Sequence, residues 1–187
     1  MKNITFIVLL MLVPCVACIA QKRTTLKEWL TKLNIPQKEG YPFYEVVDSL
    51  NADSATIYKA CKTAVAEAFQ DSKDVIRLTD DAEGHIIGKG VVVFQTSYFL
   101  TQYNILVRFT VDMRVKGKKY RVQLKDIYDY EVLPSNVPTK LEYACQKLPP
   151  NNVERFLTAM DSRLKSGMKY LLSKIDKAVK DEQTFEP

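Results

Sequence analysis

The stretch ILVRFTVDMRVKGKKYRVQL, residues 105–124, decides the fold. Ile105, Val107, Phe109, Val111, Met113 and Val115 alternate with Arg108, Thr110, Asp112 and Arg114. Successive side chains of a strand point to opposite faces, so this period of two predicts a strand over 105–115. Lys116-Gly117-Lys118-Lys119 is a hairpin turn. Tyr120, Val122 and Leu124 then continue the apolar face against Arg121, Gln123 and Lys125. Such a pair is antiparallel, with one side on a core and one in water. Asp126 breaks the phase and Ile127 takes the apolar place in the other one. The pattern predicts a bulge there, with the strand resuming through Tyr128, Tyr130 and Val132.

Upstream, Val75 to Thr79 and Ile86 to Gln95 read as two further strands around the turn Asp80 to Gly84. Thr96 to Gln102 reads as a loop carrying Tyr98 and Phe99. Gly88 and Gly90 sit inside a strand, where glycine marks a bulge or a close backbone approach. Ser54 is a good N-cap. The helix it starts runs to about Gln70, with Ile57, Cys61, Val65 and Phe69 as its apolar stripe. Tyr41 to Ser49 is the first strand. Before it, Thr24 to Asn34 is an amphipathic helix with Leu26, Trp29, Leu30 and Leu33 on one side, and Ile35-Pro36 ends it. Trp29 anchors that helix on the domain.

Downstream, Pro134 to Pro150 holds four prolines and reads as a long irregular connection. A terminal helix follows the capping pair Asn151-Asn152 and runs to about Lys180. Val153, Leu157, Met160, Leu164, Met168, Leu171, Ile175 and Val179 form its apolar stripe, which must be buried on the sheet or on a partner.

Residues 1–20, MKNITFIVLLMLVPCVACIA, have the layout of a secretory signal peptide: a charged start, a short apolar run, then small residues. The run is shorter than the roughly 20 apolar residues that span a bilayer. Cleavage after Ala20 is the expected processing; lipidation at Cys18 is the competing one, and only it would bring membrane contact. The expected location is the periplasm or cell envelope, or the medium. Residues 21–187 then suit one domain: a helix and connector over 21–40, the α+β domain over 41–182 and a tail over 183–187. Loss of Lys2 from the 27 basic residues leaves 26 against 22 acidic ones, a net +4. That mild excess is not a nucleic-acid-binding composition.

The order strand, helix, four strands, helix matches the arrangement of TATA-binding-protein-like (TBP-like) folds. Tyr44-Glu45-Val46-Val47, Ser54, Ile57-Tyr58-Lys59-Ala60, Ile86-Ile87-Gly88-Lys89-Gly90, and the strand pair around Gly117, Lys119-Tyr120-Arg121 and Asp126-Ile127 sharpen the likeness. On these residues the chain resembles the domain of unknown function 4468, a family of exported Bacteroidetes proteins with a TBP-like fold. The resemblance covers Tyr41 to about Val132. It implies an α+β fold, β-α-β-β-β-β-α, with an antiparallel sheet on a long C-terminal helix. It brings no activity and no catalytic residues.

The residues that carry chemistry are few. Cys61 and Cys145 either form a disulfide, closing a loop worth about 4.5 kcal/mol in the chain-entropy model, or are two buried thiols. His85 is the only histidine, which excludes paired-histidine metal motifs. Neither a metal site nor a Cys-His nucleophile from Cys61, His85 and Cys145 has motif spacing, and no cofactor is expected. Two acidic clusters, Asp80, Asp81 and Glu83, and Asp126, Asp129 and Glu131, are the candidates for a carboxylate hydrolase. Arg114, Lys116, Lys118, Lys119 and Arg121 crowd one hairpin and could meet an anionic surface, or simply be solvated. Phe109, Met113, Tyr120, Phe156, Met160 and Met168 either fill a core or line a hollow between sheet and helix. The favoured expectation is a non-enzymatic binding module. Its partner is a small apolar or anionic envelope ligand or a protein, not nucleic acid. A carboxylate hydrolase and an assembly protein docking through the terminal helix are the alternatives.

Overall fold

The computed structural model describes residues 23–68, 76–98, 101–135 and 137–184, apart from the side chain of Tyr98. Residues 1–20, Cys18 among them, lie outside the described residues, as do Phe69, Val75 and Phe99.

The long strands organise everything else. β5 (His85–Tyr98) and β6 (Thr101–Lys116) pair along their whole length, from His85↔Arg114 to Tyr98↔Thr101. The expected loop over 96–102 is therefore a correction: residues 96–98 and 101–102 belong to the two paired strands. The other edge of β6 is shared. β7 (Lys119–Lys125) takes its C-terminal half and β8 (Asp129–Leu133) its N-terminal half. Lys125 pairs with Thr110 and Tyr130 with Val107. The segment 126–129 thus faces only Arg108 and Phe109, which is the expected bulge in a wide form. Asp126 turns the chain there with φ +59°, and Ile127 is buried.

β3 (Tyr44–Ser49) and β4 (Ile76–Asp80) complete the antiparallel order β3-β7-β6-β5-β4, and β9 (Thr139–Lys140) pairs with β8. β1 (Gln37–Lys38) and β2 (Tyr41–Pro42) form a small separate hairpin.

One side of the sheet carries the helices. α4 (Pro150–Thr184) lies on β5 and on α2 (Ser54–Ala68). All eight stripe residues of α4 are buried, with Phe156 beside them. Each such side chain contributes about 1.5–3 kcal/mol in transfer free energy. The stripe is spent within its own fold, so docking on a partner through it is ruled out as a reading. Phe109, Met113, Tyr120, Phe156, Met160 and Met168 all belong to this one core. α4 starts at Pro150, one residue before the expected cap. The carbonyl of Pro149 accepts from the N–H groups of Asn152 and Val153, and the fixed φ of proline suits a first helical position.

α1 (Leu26–Lys32) starts with a capping box: Thr25 Oγ1 accepts from the Glu28 N–H, and the Glu28 carboxylate accepts from the Thr25 N–H. Leu26, Trp29 and Leu30 join the core, and α1 packs on α3 (Leu141–Lys147). α3 lies inside the stretch expected to be irregular. Its buried face is Leu141, Ala144 and Cys145.

The basic end of the sheet

Three segments converge where β6 turns into β7. The turn itself is a two-residue loop, Gly117-Lys118, closed by the Lys116↔Lys119 pair. Gly117 has φ +58° and Lys118 is not left-handed, the type II′ pattern that matches strand twist. The second segment is the β4–β5 turn. Asp80 Oδ1 accepts from the N–H groups of Ala82 and Glu83, the backbone role expected of it. Gly84 latches this turn to β6, because the Val115 N–H donates to its carbonyl at 2.9 Å. A Cβ on Gly84 would come within 2.7 Å of the Val115 carbonyl oxygen. The third segment is the start of α2, tied in by the Tyr58 hydroxyl, which donates to Asp81 Oδ1 at 2.6 Å. Burial, and then that carboxylate, push the Tyr58 hydroxyl up to about 12.

Together they enclose a concavity of about 900 Å³. Arg114, Lys116, Lys119 and Arg121 line it, opposed by Asp81 and Glu83 alone among acidic residues. Lys118 is not part of it: its ammonium donates to Asn51 Oδ1 at 3.0 Å, away from the other cations. Among the described residues, Lys116, Lys119 and Arg121 make no salt bridge. Arg121 Nε is shut off from solvent with no hydrogen-bond partner among the described residues, which is uncommon for a buried donor.

Beside this end lies a polar centre that the sequence pattern missed. Asp112 is expected in water but is only 4% exposed. Lys125 donates to its Oδ2, His85 Nε2 lies 3.0 Å from its Oδ1, and Arg114 Nε stands at 4.0 Å. Burial alone would raise its carboxyl. The hydrogen bonds and charges of Lys125 and His85 outweigh that and hold it below the usual carboxylate range. Thr110, also buried, accepts from the Lys89 ammonium at 2.7 Å.

The remaining candidates fall apart into structural roles. In the second acidic cluster, Glu131 is buried under a two-pronged contact from Arg108, with Nε at 2.9 Å. Asp129 pairs with Lys140 at 3.0 Å, and Asp126 accepts from the Tyr128 hydroxyl at 3.2 Å. Of these three carboxylates, Glu131 alone is buried. Cys61 and Cys145 are free and buried, so the disulfide reading is corrected. They sit on different helices, α2 and α3, each facing the core. Cys61, His85 and Cys145 are not gathered: among the described residues no group of three such ligands could hold a metal ion. No helix among those residues is long and apolar enough to cross a membrane.

Two solved structures share this architecture. A DUF4468 family protein from Bacteroides ovatus ATCC 8483 superposes with a TM-score of 0.56 at 18% identity, covering 78% of this chain and 90% of that one. A TBP-like protein from Parabacteroides distasonis ATCC 8503 gives 0.55 at 15% identity, covering 78% and 96%. At such identity the likeness speaks for the fold alone. No curated protein matches the chain. Residues 43–129 match the family described as "Domain of unknown function (DUF4468) with TBP-like fold". Through that segment, from the end of the β1–β2 hairpin to the start of β8, the chain is similar to the DUF4468 family.

Proposed function

We propose that this is an exported, non-enzymatic binding protein that takes an anionic ligand at the basic end of its sheet. The observation that carries the reading is the convergence of Arg114, Lys116, Lys119 and Arg121 on one concavity, three of them without an ionic partner among the described residues. Four like charges held together repel one another, and an anion would relieve that repulsion. Arg121 lines the concavity, and its guanidinium is a planar, permanently charged group suited to a phosphate or carboxylate. Export rests on residues 1–20 alone, and would be tested by whether the fractionated protein begins at Gln21.

The binding test uses the full chain. Inorganic pyrophosphate and glycerol phosphate are titrated calorimetrically, and sedimentation with phosphatidylglycerol vesicles is compared with phosphatidylcholine. Soluble phosphates binding without the vesicles marks a free anion as ligand; vesicles alone mark a lipid surface. In either case Lys119→Glu or Arg121→Glu weakens binding at least about tenfold, and added salt weakens it further. Binding that ignores both charge reversals would sink the proposal. The hydrolase alternative keeps only Asp81 and Glu83, the two carboxylates that share the concavity with the cations.

A further inference from the structure

The β1–β2 hairpin and the β7–β8 bulge meet around a second, smaller concavity of about 220 Å³, which shares no lining residue with the basic one. Tyr41 and Tyr128 hold the two segments together, ring edge to ring face, with centroids 4.7 Å apart. Phe43 lines the same wall.

Its two carboxylates stand on unusual backbone. Only three non-glycine residues among those described have positive φ: Asn34, Glu39 and Asp126. Glu39 (φ 55°) and Asp126 (φ 59°) both line this concavity. Asparagine and aspartate tolerate the left-handed region; glutamate has no local compensation there. With Gly40 at φ 84°, the Glu39-Gly40 loop is a type I′ turn, where Asn-Gly or Asp-Gly is the favoured pair. A glutamate at that place is unfavourable for the turn, and observed strain of this kind points toward a role for the side chain.

The polar atoms are open. Glu39 has no hydrogen-bond or ionic partner among the described residues. Asp126 uses one oxygen, to accept from Tyr128. Lys38 Nζ lies 5.5 Å from the centroid of the Phe43 ring and has no carboxylate partner among the described residues. Lys125, on the same wall, donates to Asp112. Tyr128 is 41% exposed.

The set has acceptors in Glu39 and Asp126, a donor in Lys38, and aromatic surface in Tyr128 and Phe43, with acidic and basic residues in equal number: Lys38 and Lys125 against Glu39 and Asp126. An apolar ligand would strip water from two carboxylates with nothing in return. An anion would face those carboxylates, and a cation would face Lys38 and Lys125. A neutral ring bearing hydroxyl groups satisfies every member: its hydroxyls donate to the carboxylates and accept from the ammonium, and its C–H face lies on the aromatic surface. We propose that this concavity, built by Glu39, Asp126, Lys38, Tyr128 and Phe43, binds a neutral pyranose sugar. The inference is independent of the anionic site.

The full chain is tested on an array of neutral and charged glycans, including the tetraoses of cellulose, xylan, starch and chitin, with choline titrated in parallel. A neutral glycan is bound, and Tyr128→Ala and Glu39→Asn each weaken it at least tenfold. Glu39→Asn also raises the melting temperature, because asparagine suits the turn, so its loss of binding is not loss of fold. Lys119→Glu leaves the glycan bound. Failure of every neutral glycan, preference for choline or for an anionic glycan, or a Glu39→Asn protein that binds as well as the parent would each overturn the proposal.

Discussion

Replacing Gly90 with alanine tests how tightly the sheet is packed. Gly90 sits on β5 opposite Phe109 of β6, on the helix-bearing face. A Cβ built there would lie 2.4 Å from Cε2 and 2.5 Å from Cζ of the Phe109 ring. Carbon atoms prefer separations of about 3.5–4.0 Å, so the ring must move by roughly an ångström. It has little room, being 2% exposed in the core shared with α4. Overpacking of this kind costs about 1–3 kcal/mol. For a chain of this size each kcal/mol lowers the melting temperature by about 2–4 °C, so Gly90→Ala should melt about 2–12 °C below the parent. Chemical denaturation followed by the single tryptophan, Trp29, gives the free energy directly. Phe109→Leu trims the ring that clashes, so the double variant should lose less than the two single losses added. A double-mutant cycle with no coupling, or a Gly90→Ala protein as stable as its parent, would refute the packing described.

Asp112 should give the protein an acid limb. Its folded carboxyl is held below the unfolded value of about 3.9. The stability this supplies is therefore complete above about pH 5 and lost as pH falls through the folded value. Asp112→Asn should cost about 1–3 kcal/mol at pH 7 and flatten the fall between pH 5 and pH 2, read from denaturation midpoints. Burial pushes Cys61 up to about 12, and burial followed by Glu142 pushes Cys145 up to about 11. Since the thiolate is the reactive form, native protein should protect both from iodoacetamide, while denaturant without reductant exposes both; a pair still unlabelled in denaturant would reveal a bridge. Thr25→Ala removes half of the capping box and should cost about 1 kcal/mol, with faster amide exchange confined to α1.

Most of the frame was legible in the sequence because its signals are periodic. The six alternating residues from Ile105 to Val115 are all buried, and so are the eight of the α4 stripe. Three things were not legible. The far ends of β5 and β6 carry Ser97, Thr101 and Gln102, which show no alternation, yet pairing with each other extends the strands. α3 shows its helical spacing only in Leu141, Ala144 and Cys145, among four nearby prolines. The buried side of Asp112 depends on Lys125 and His85, which come from different strands and meet only through register. For the basic site, the sequence placed the cations at one hairpin. It could not separate Lys118, which reaches Asn51, from the three that line the concavity with Arg114.

The two sides of β6 have different kinetic standing. β5 and β6 start from Tyr98↔Thr101, a closure of three residues, and can zip from there. β3 joins β7 only after Ser49↔Lys119, a closure of 70. Loop entropy alone makes the second closure about 3 kcal/mol costlier. The hairpin is thus suited to an early folding nucleus, and β3 is the strand to arrive last and detach first. Val47 of β3 forms one wall of the basic concavity. That wall is hung on the least local pairing in the sheet, so the basic end has a side that can breathe while the β5–β6 floor stays closed.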